Sequence, residues 1–229
     1  MRHRATLAGW LSRISDGVAK QATAACIYVL AGTNGAGKSS VGGAAIREKD
    51  ADYFNPDEAA RRIGATNPRI TERYANIAAW QEGTRLLAKA IAGRLAFAIE
   101  TTLGGDTITA LLLRALDEGI EVRMWYVALA TPELHIARVR ARVARGGHDI
   151  PELTIRGRYD RSRANLIRLL PQLTELRVFD NSIEADPAAG AVPTLLLVLH
   201  TVNGKVAAMC DLQRVPEWAK PIVATAMNP

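Results

Sequence analysis

Apolar positions along this chain follow two rhythms that alternate. Short apolar runs, "ACIYVLA", "LAFAIE", "EVRMWYVAL" and "ELRVFDN", are too short for buried helices and read as buried strands, with "DYFN" as a further short one. Between them lie longer stretches with helical spacing: "ERYANIAAWQEGTRLLAKAIAGR", "DTITALLLRALDEG", "TPELHIARVRARVAR" and "PELTIRGRYDRSRANLIRLLPQL". A further helix opens at "NPDEAARRI", where Pro56 and the acids after it suit a first turn, and Asp106 is the expected cap of the helix after the third strand. Strands alternating with helices predict an α/β fold, a parallel sheet with helices on both faces.

The two ends break that rhythm. Leu7, Leu11, Ile14 and Val18 recur at helical spacing, so residues 1–24 read as an amphipathic extension. Near the other end "TLLLVLHTVNGKVAAM" places two apolar runs around Asn203-Gly204, which predicts an antiparallel hairpin on one sheet edge, and "VPEWAKPIV" reads as a closing helix, the pair spanning about 194–225. No repeat or linker divides residues 25–229, which are expected to form one domain.

The chain has 229 residues, 48% of them hydrophobic, enough for a substantial core. Its net charge of +6 points to an anionic partner. Cys26 and Cys210 lie in apolar surroundings without metal-ligand spacing and are expected to be buried thiols. No apolar stretch reaches the roughly 18 residues of a membrane span, and the N-terminus lacks the apolar core of a secretory signal, so a cytoplasmic location is expected.

The sharpest motif is "AGTNGAGKSS". Gly32, Gly37, Lys38 and Ser39 satisfy G-x-x-x-x-G-K-[ST] between a strand and a helix expected to begin near Lys38. Glycines let the amides of Gly32, Thr33, Asn34, Gly35, Ala36, Gly37 and the following Ser39 and Ser40 curl around a phosphate; Lys38, read as an exposed loop lysine, reaches the β- and γ-phosphates, and Ser39 ligates Mg²⁺. ATP and Mg²⁺ are therefore the expected cofactors, on a P-loop NTPase sheet of nucleoside-monophosphate-kinase-like type. An LSGGQ-like signature, paired acids ending a strand and an N/TKxD motif are all missing, which turns the reading from transport ATPases, helicases and GTPases toward small-molecule kinases.

Such a kinase needs carboxylates at the strand ends that line its crevice. Asp57, just past the second strand, fits a base or a first-turn acid on the helix dipole; Glu100, ending the third, fits a substrate or metal-shell carboxylate or a plain strand terminus. Thr101 and Thr102 either bond substrate or cap the next loop. Residues 131–168 hold nine arginines, four acids and no lysine. Arg138, Arg142 and Arg145 fall at i, i+4 and i+7 on one helix face before a Gly146-Gly147 break, the pattern of a lid that clamps phosphate, and Arg158 belongs to the same group. His148 at the turn is either structural or a substrate contact, and Asp180 and Asn181 lie either beside the base or in a turn.

Four segments in order, "LAGTNGAGKSS", "DYFNPDEAARRI", "FAIETTL" and "RVRARVARGGHDIPELTIRGRYDRSRANL", resemble the zeta-toxin-like P-loop kinases, the "GGHDIP" lid resembling a branch distinct from the sugar-nucleotide kinases. The resemblance implies transfer of the ATP γ-phosphate to a hydroxyl, with a UDP-amino sugar such as UDP-N-acetylglucosamine as favoured acceptor, and an antitoxin protein as partner. It also implies Asp57 as base, Glu100 as substrate or metal-shell carboxylate, and Arg138 with Arg145 as the lid pair. A nucleic-acid-directed kinase or ATPase and a nucleotide-gated binding module remain the alternatives; the lid lacks the interleaved aromatics that stack bases.

Overall fold

The apolar runs form strands, and their period of two decides which core each side chain joins. The computed structural model describes residues 25–38, 51–183 and 195–228. Within them β1 (Cys26–Ala31), β2 (Asp52–Phe54), β3 (Phe97–Thr101), β4 (Glu121–Ala128), β5 (Glu175–Asp180), β6 (Leu196–Val202) and β7 (Lys205–Met209) make one sheet. Its order is β2-β3-β1-β4-β5-β6-β7. The first five positions pair in parallel and β6 and β7 add antiparallel, giving a mixed sheet with helices on both sides.

The helices are α1 (Pro56–Thr66), α2 (Glu72–Ala92), α3 (Asp106–Asp117), α4 (Pro132–Val143), α5 (Glu152–Leu169) and α6 (Lys220–Met227). Ile27, Val29 and Ala31 of β1 join a large cluster with Leu87 and Ile91 of α2, Leu112 of α3 and Leu166 of α5. Leu30, from the opposite face, joins a smaller cluster with Trp125, Val127 and Phe179. Because β3 and β2 lie to one side of β1 while β4 and β5 lie to the other, a crevice opens beyond the C-terminal end of β1. The motif loop leaves the sheet at that point.

The predicted hairpin is present. Asn203 and Gly204 have φ of +50° and +72°, the pair of left-handed residues that a two-residue turn of this kind requires. Other expectations shift. Gly105, without a side-chain bond, precedes α3, and Asp106 is its first helical residue rather than its cap. In the tail, Glu217–Ala219 is a 3-10 turn and the helix proper begins only at Lys220, where Pro221 suits a first turn. Cys26 is buried, but Cys210 at the end of the hairpin is only half-buried. The N-terminal amphipathic segment lies outside the described residues.

Residues 131–168 divide in two. Tyr159, Ser162, Asn165, Leu166 and Leu169 of α5 are buried. Tyr126 Oη and Ser162 Oγ share a buried hydrogen bond of 2.9 Å, and Asn165 Nδ2 donates to the Leu103 carbonyl at 3.0 Å. The far half of α5 is thus part of the main body. Ile136, Val139, Ile150 and Ile155 form a separate small cluster that holds α4 against the start of α5.

Candidate active site

Backbone geometry fixes the motif loop. Gly32 has φ +139°, and a Cβ there would lie 2.0 Å from the Val127 carbonyl oxygen, so no other residue fits between β1 and β4. Its amide donates to the Thr101 carbonyl at 3.2 Å, tying the loop to the end of β3. Gly35 and Gly37 also have positive φ and would meet His135 O and Asn181 Nδ2 at 2.7 and 2.6 Å.

Three elements then grip the loop from outside. His135 of α4 donates from Nδ1 to the Asn34 carbonyl at 2.8 Å. Arg158 of α5 donates from Nη1 to Asn34 Oδ1 at 2.7 Å, and Asn181 after β5 donates from Nδ2 to the Ala36 carbonyl at 2.9 Å. Thr33 and Ala36 are buried with them. Burial lowers the Arg158 guanidinium from its usual value, with Asp57 opposing the shift. Burial likewise pushes His135 down to about 4, so it is neutral near pH 7 with its proton on Nδ1. Of the amides expected to line the cradle, those of Gly32 and Ala36 donate to the Thr101 and Thr33 carbonyls; Ser39 and Ser40 lie outside the described residues.

Lys38 is not an exposed loop lysine. It is 8% exposed, with Nζ 3.6 Å from Glu100 Oε1. Glu100, 7% exposed, also accepts from Tyr53 Oη at 3.1 Å and from Asn55 Nδ2 at 3.0 Å. The loop turns back over the sheet, and parallel pairing brings the ends of β1 and β3 side by side, which draws the lysine onto the acid. Asn55 is bifunctional: its Oδ1 caps α1 by accepting from the amides of Asp57 and Glu58. One side chain therefore places both candidate acids. Asp57 is open, its side chain 52% exposed, and its carboxylate lies 4.0 Å from Arg142 Nη1.

The hydroxyls of Thr101 and Thr102 are engaged by the following loop. They accept from the amides of Leu103 and Gly104, which bends the chain through Leu103 at φ +53°.

The arginine face is only partly as expected. Arg138 donates from Nη2 to the Asn181 carbonyl at 2.8 Å, beside the motif loop. Arg142 bridges Asp57 and the His148 carbonyl, the latter at 2.8 Å. Arg145 departs from the face: α4 ends at Val143, and the turn that follows, with Gly146 at φ +84° and the Gly147 amide bonded back to Arg142, leaves Arg145 exposed with Nε on the Ala141 carbonyl. His148 is drawn to α2, with Nδ1 on Glu72 and Nε2 3.4 Å from Asn76 Nδ2. Arg140, Arg156 and Arg163 pair with Glu152, Glu133 and Asp160. Asp180 is also structural: its Oδ1 accepts from Trp218 Nε1 at 3.1 Å, holding the C-terminal segment to β5.

Sequence reasoning missed Asn55, Tyr53 and His135. Asn55 was legible as a residue before Pro with acids behind it, an N-cap signature; the other two carry no local signal. The described residues hold no group of three or more His, Cys, Asp or Glu set for a metal. Mg²⁺ takes one or two carboxylates and completes its shell with waters and substrate phosphates. Glu100, buried at the mouth of the loop, is of the right kind.

A sequence model described as zeta toxin matches residues 12–185. An uncharacterized protein of Haemophilus influenzae is 33% identical over 132 residues, covering 56% of this chain and 88% of its own length. Among solved structures, an AvrRxo1-ORF1:ORF2 complex with ATP aligns at a TM-score of 0.58 and 16% identity, over 97% of this chain and 67% of that one. A structure from the PezAT chromosomal toxin-antitoxin system of Streptococcus pneumoniae aligns at 0.52 and 16%, over 82% and 81%. At these identities the structural likeness is one of fold.

Proposed function

Since the chain belongs to the zeta toxin family of P-loop kinases and is a phosphotransferase, we propose that it moves the γ-phosphate of ATP to a hydroxyl of a small anionic acceptor, with a UDP-amino sugar such as UDP-N-acetylglucosamine favoured. The observation that carries this reading is the contact between Lys38 and Glu100, which joins the phosphate loop to the strand end where an acceptor would sit. In this reading the loop amides and Lys38 hold the β- and γ-phosphates. Asp57 accepts the hydroxyl proton as the oxygen attacks, and Arg142, beside it, meets the charge that gathers on the transferring group. Arg138 holds the segment after β5 against the loop. Ser39 and Glu100 would hold Mg²⁺, which supplies charge neutralisation between the phosphates. No described helix is long and apolar enough to cross a membrane.

Residues 25–229 are proposed to act as one kinase unit, with residues 1–24 as an extension. An antitoxin protein is the proposed partner, in keeping with the PezAT relative. The pairing of Arg140, Arg156 and Arg163 with acids favours a small acceptor over a nucleic-acid track, because paired arginines release few counterions from a polyanion.

Mass spectrometry of a metabolite extract incubated with ATP and the protein, beside pure UDP-N-acetylglucosamine, tests the reading. An ATP-dependent gain of one phosphate on the UDP-sugar, absent in Lys38→Ala, is expected. Phosphorylation of another metabolite alone would remove the UDP-sugar and leave the kinase. Phosphorylation of no small molecule, with salt-steep polynucleotide binding, would overturn both.

A further inference from the structure

The Gly146-Gly147-His148 turn has no part in the chemistry proposed above, yet each of its residues acts on one side chain, Arg142. Gly146, at φ +84°, reverses the chain after α4. Gly147 lies against the arginine: its amide donates to the Arg142 carbonyl at 3.0 Å, and a Cβ there would stand 2.6 Å from Arg142 Cγ. His148 offers its own carbonyl to Arg142 Nη2 at 2.8 Å. Arg142 Nε is buried with no partner among the described residues, and Asp57 is 4.0 Å from Nη1, so the His148 carbonyl is the firmest hold on the guanidinium. The imidazole of that residue is held in turn by α2. Its Nδ1 meets the Glu72 carboxylate, and Nε2 lies 3.4 Å from Asn76 Nδ2, one helical turn on. With the proton on Nδ1 the ring donates to the acid and accepts from the amide, which occupies both nitrogens. Helix α2 is a fixed anchor, because Ala75 and Ala79 are buried and Gly83 sits against the Phe54 ring, where a Cβ would lie 2.6 Å from Cε1.

We infer that His148 is a positioning residue for phosphoryl transfer: clasped by Glu72 and Asn76, it fixes the turn that aims Arg142 at Asp57 and the transferring phosphate. The inference rests on the kinase reading above and adds to it a residue that acts only through Arg142. A long side chain left to itself samples many rotamers, and its charge stabilises a transition state only when it already stands in place. A backbone carbonyl can hold it there only if the turn that carries the carbonyl is itself held, and two successive glycines leave a turn loosely constrained. The imidazole supplies the missing tie, to an acid 76 positions earlier in the chain. The order of the three residues follows from the same need. Glycine at 147 leaves room for the Arg142 stem, and histidine one place later sets its carbonyl on the guanidinium and its ring on α2.

The test is a double-mutant cycle in turnover. Wild type, His148→Ala, His148→Asn, Glu72→Ala, Arg142→Ala and the double variant His148→Ala with Arg142→Ala are compared for kcat and KM. Both ATP hydrolysis without acceptor and transfer to UDP-N-acetylglucosamine are followed, because the first does not depend on the sugar being the acceptor. His148→Ala and Glu72→Ala should each lower kcat roughly five- to tenfold, no further than Arg142→Ala, with the KM for ATP within about twofold of wild type and melting unchanged. His148→Asn, whose amide can donate in place of Nδ1–H, should keep most of the rate. The double variant is decisive: with Arg142 gone, loss of His148 should cost nothing more. Losses that multiply would mean that His148 acts on substrate directly, and they overturn the inference. Wild-type kcat in both His148→Ala and Glu72→Ala overturns it as well. A loss carried by the KM for ATP, or a fall in melting temperature that His148→Asn does not restore, would show a structural role and overturn it too. Each of these outcomes leaves the kinase standing, whereas wild type that turns over no ATP refutes the kinase reading and this inference together.

Discussion

The phosphate side and the acceptor side of this cleft are built by opposite means. On the phosphate side three glycines at positive φ are wedged against Val127, His135 and Asn181, and side chains from α4, α5 and the end of β5 grip the loop carbonyls or Asn34. On the proposed acceptor side Asp57 stands half in solvent, held mainly by where its helix begins. Polyphosphate presents the same geometry in every turnover, so a rigid, preformed cradle suits it. An acceptor must enter and leave, and open side chains allow that. Glu100 belongs to both sides, since it contacts Lys38 and shares Asn55 with the helix of Asp57.

The most severe challenge to the rigid side is a single methyl. Gly32→Ala forces the Val127 carbonyl away at a φ that alanine resists; it should cost on the order of 3 kcal/mol or more and abolish ATP binding, read by thermal melting and nucleotide titration. Gly64 of α1, with nothing within 4 Å of its would-be Cβ, is the counterpart. There alanine should stabilise by about 0.5–1 kcal/mol and leave turnover intact. Equal outcomes at the two positions would erase the contrast.

Next in size is Lys38→Ala, expected to lower phosphoryl transfer by ~10³-fold. Because Lys38 is buried on Glu100, the variant should also melt earlier than wild type, and adding Glu100→Gln should restore part of that loss; a double-mutant cycle in melting measures it. Additive losses would mean that the two groups do not feel each other.

Asp57→Asn follows, at ~10²-fold in rate with ATP affinity unchanged. Melting should shift little, because Asn55 supplies the cap and an open first-turn acid contributes only about 0.3–1 kcal/mol. A large melting shift with normal specific activity would make Asp57 a helix acid only.

A smaller effect concerns pH. His135 has a folded value of about 4, below the ~6.5 of an unfolded chain. Between those values the unfolded state binds the extra proton, so stability is fully present above pH 6.5 and falls as pH drops toward 4, by at most about 1.4 kcal/mol per pH unit. Stability of His135→Gln against pH should be flatter across that window; an identical slope would place the proton uptake elsewhere. The smallest expected effect is at Arg145: exposed beyond the end of α4, its change to alanine should alter kcat less than about twofold, while Arg142→Ala lowers it at least tenfold.

How much of this was readable beforehand follows from the range of each interaction. The strands, the helices and the Asn203-Gly204 turn are set by contacts between near neighbours and by the faces each segment must bury, and these are written in local pattern. The phosphate loop is legible because its motif is contiguous over eight residues, although the groups that press on its glycines, from Val127, His135 and Asn181, come from distant segments. Helix ends were less so: the spacing of Arg138, Arg142 and Arg145 assumes a helix that in fact stops at Val143, where a glycine in the left-handed region turns the chain.

The sequence by itself therefore determined the layered sheet, the cradle and the two acids at strand ends. Only the tertiary structure decided that Lys38 is buried on Glu100 and that His135 and Arg158 brace Asn34. Each of these joins segments from about 60 to more than 100 positions apart. Such contacts follow from strand order and helix placement, which no local run of residues encodes.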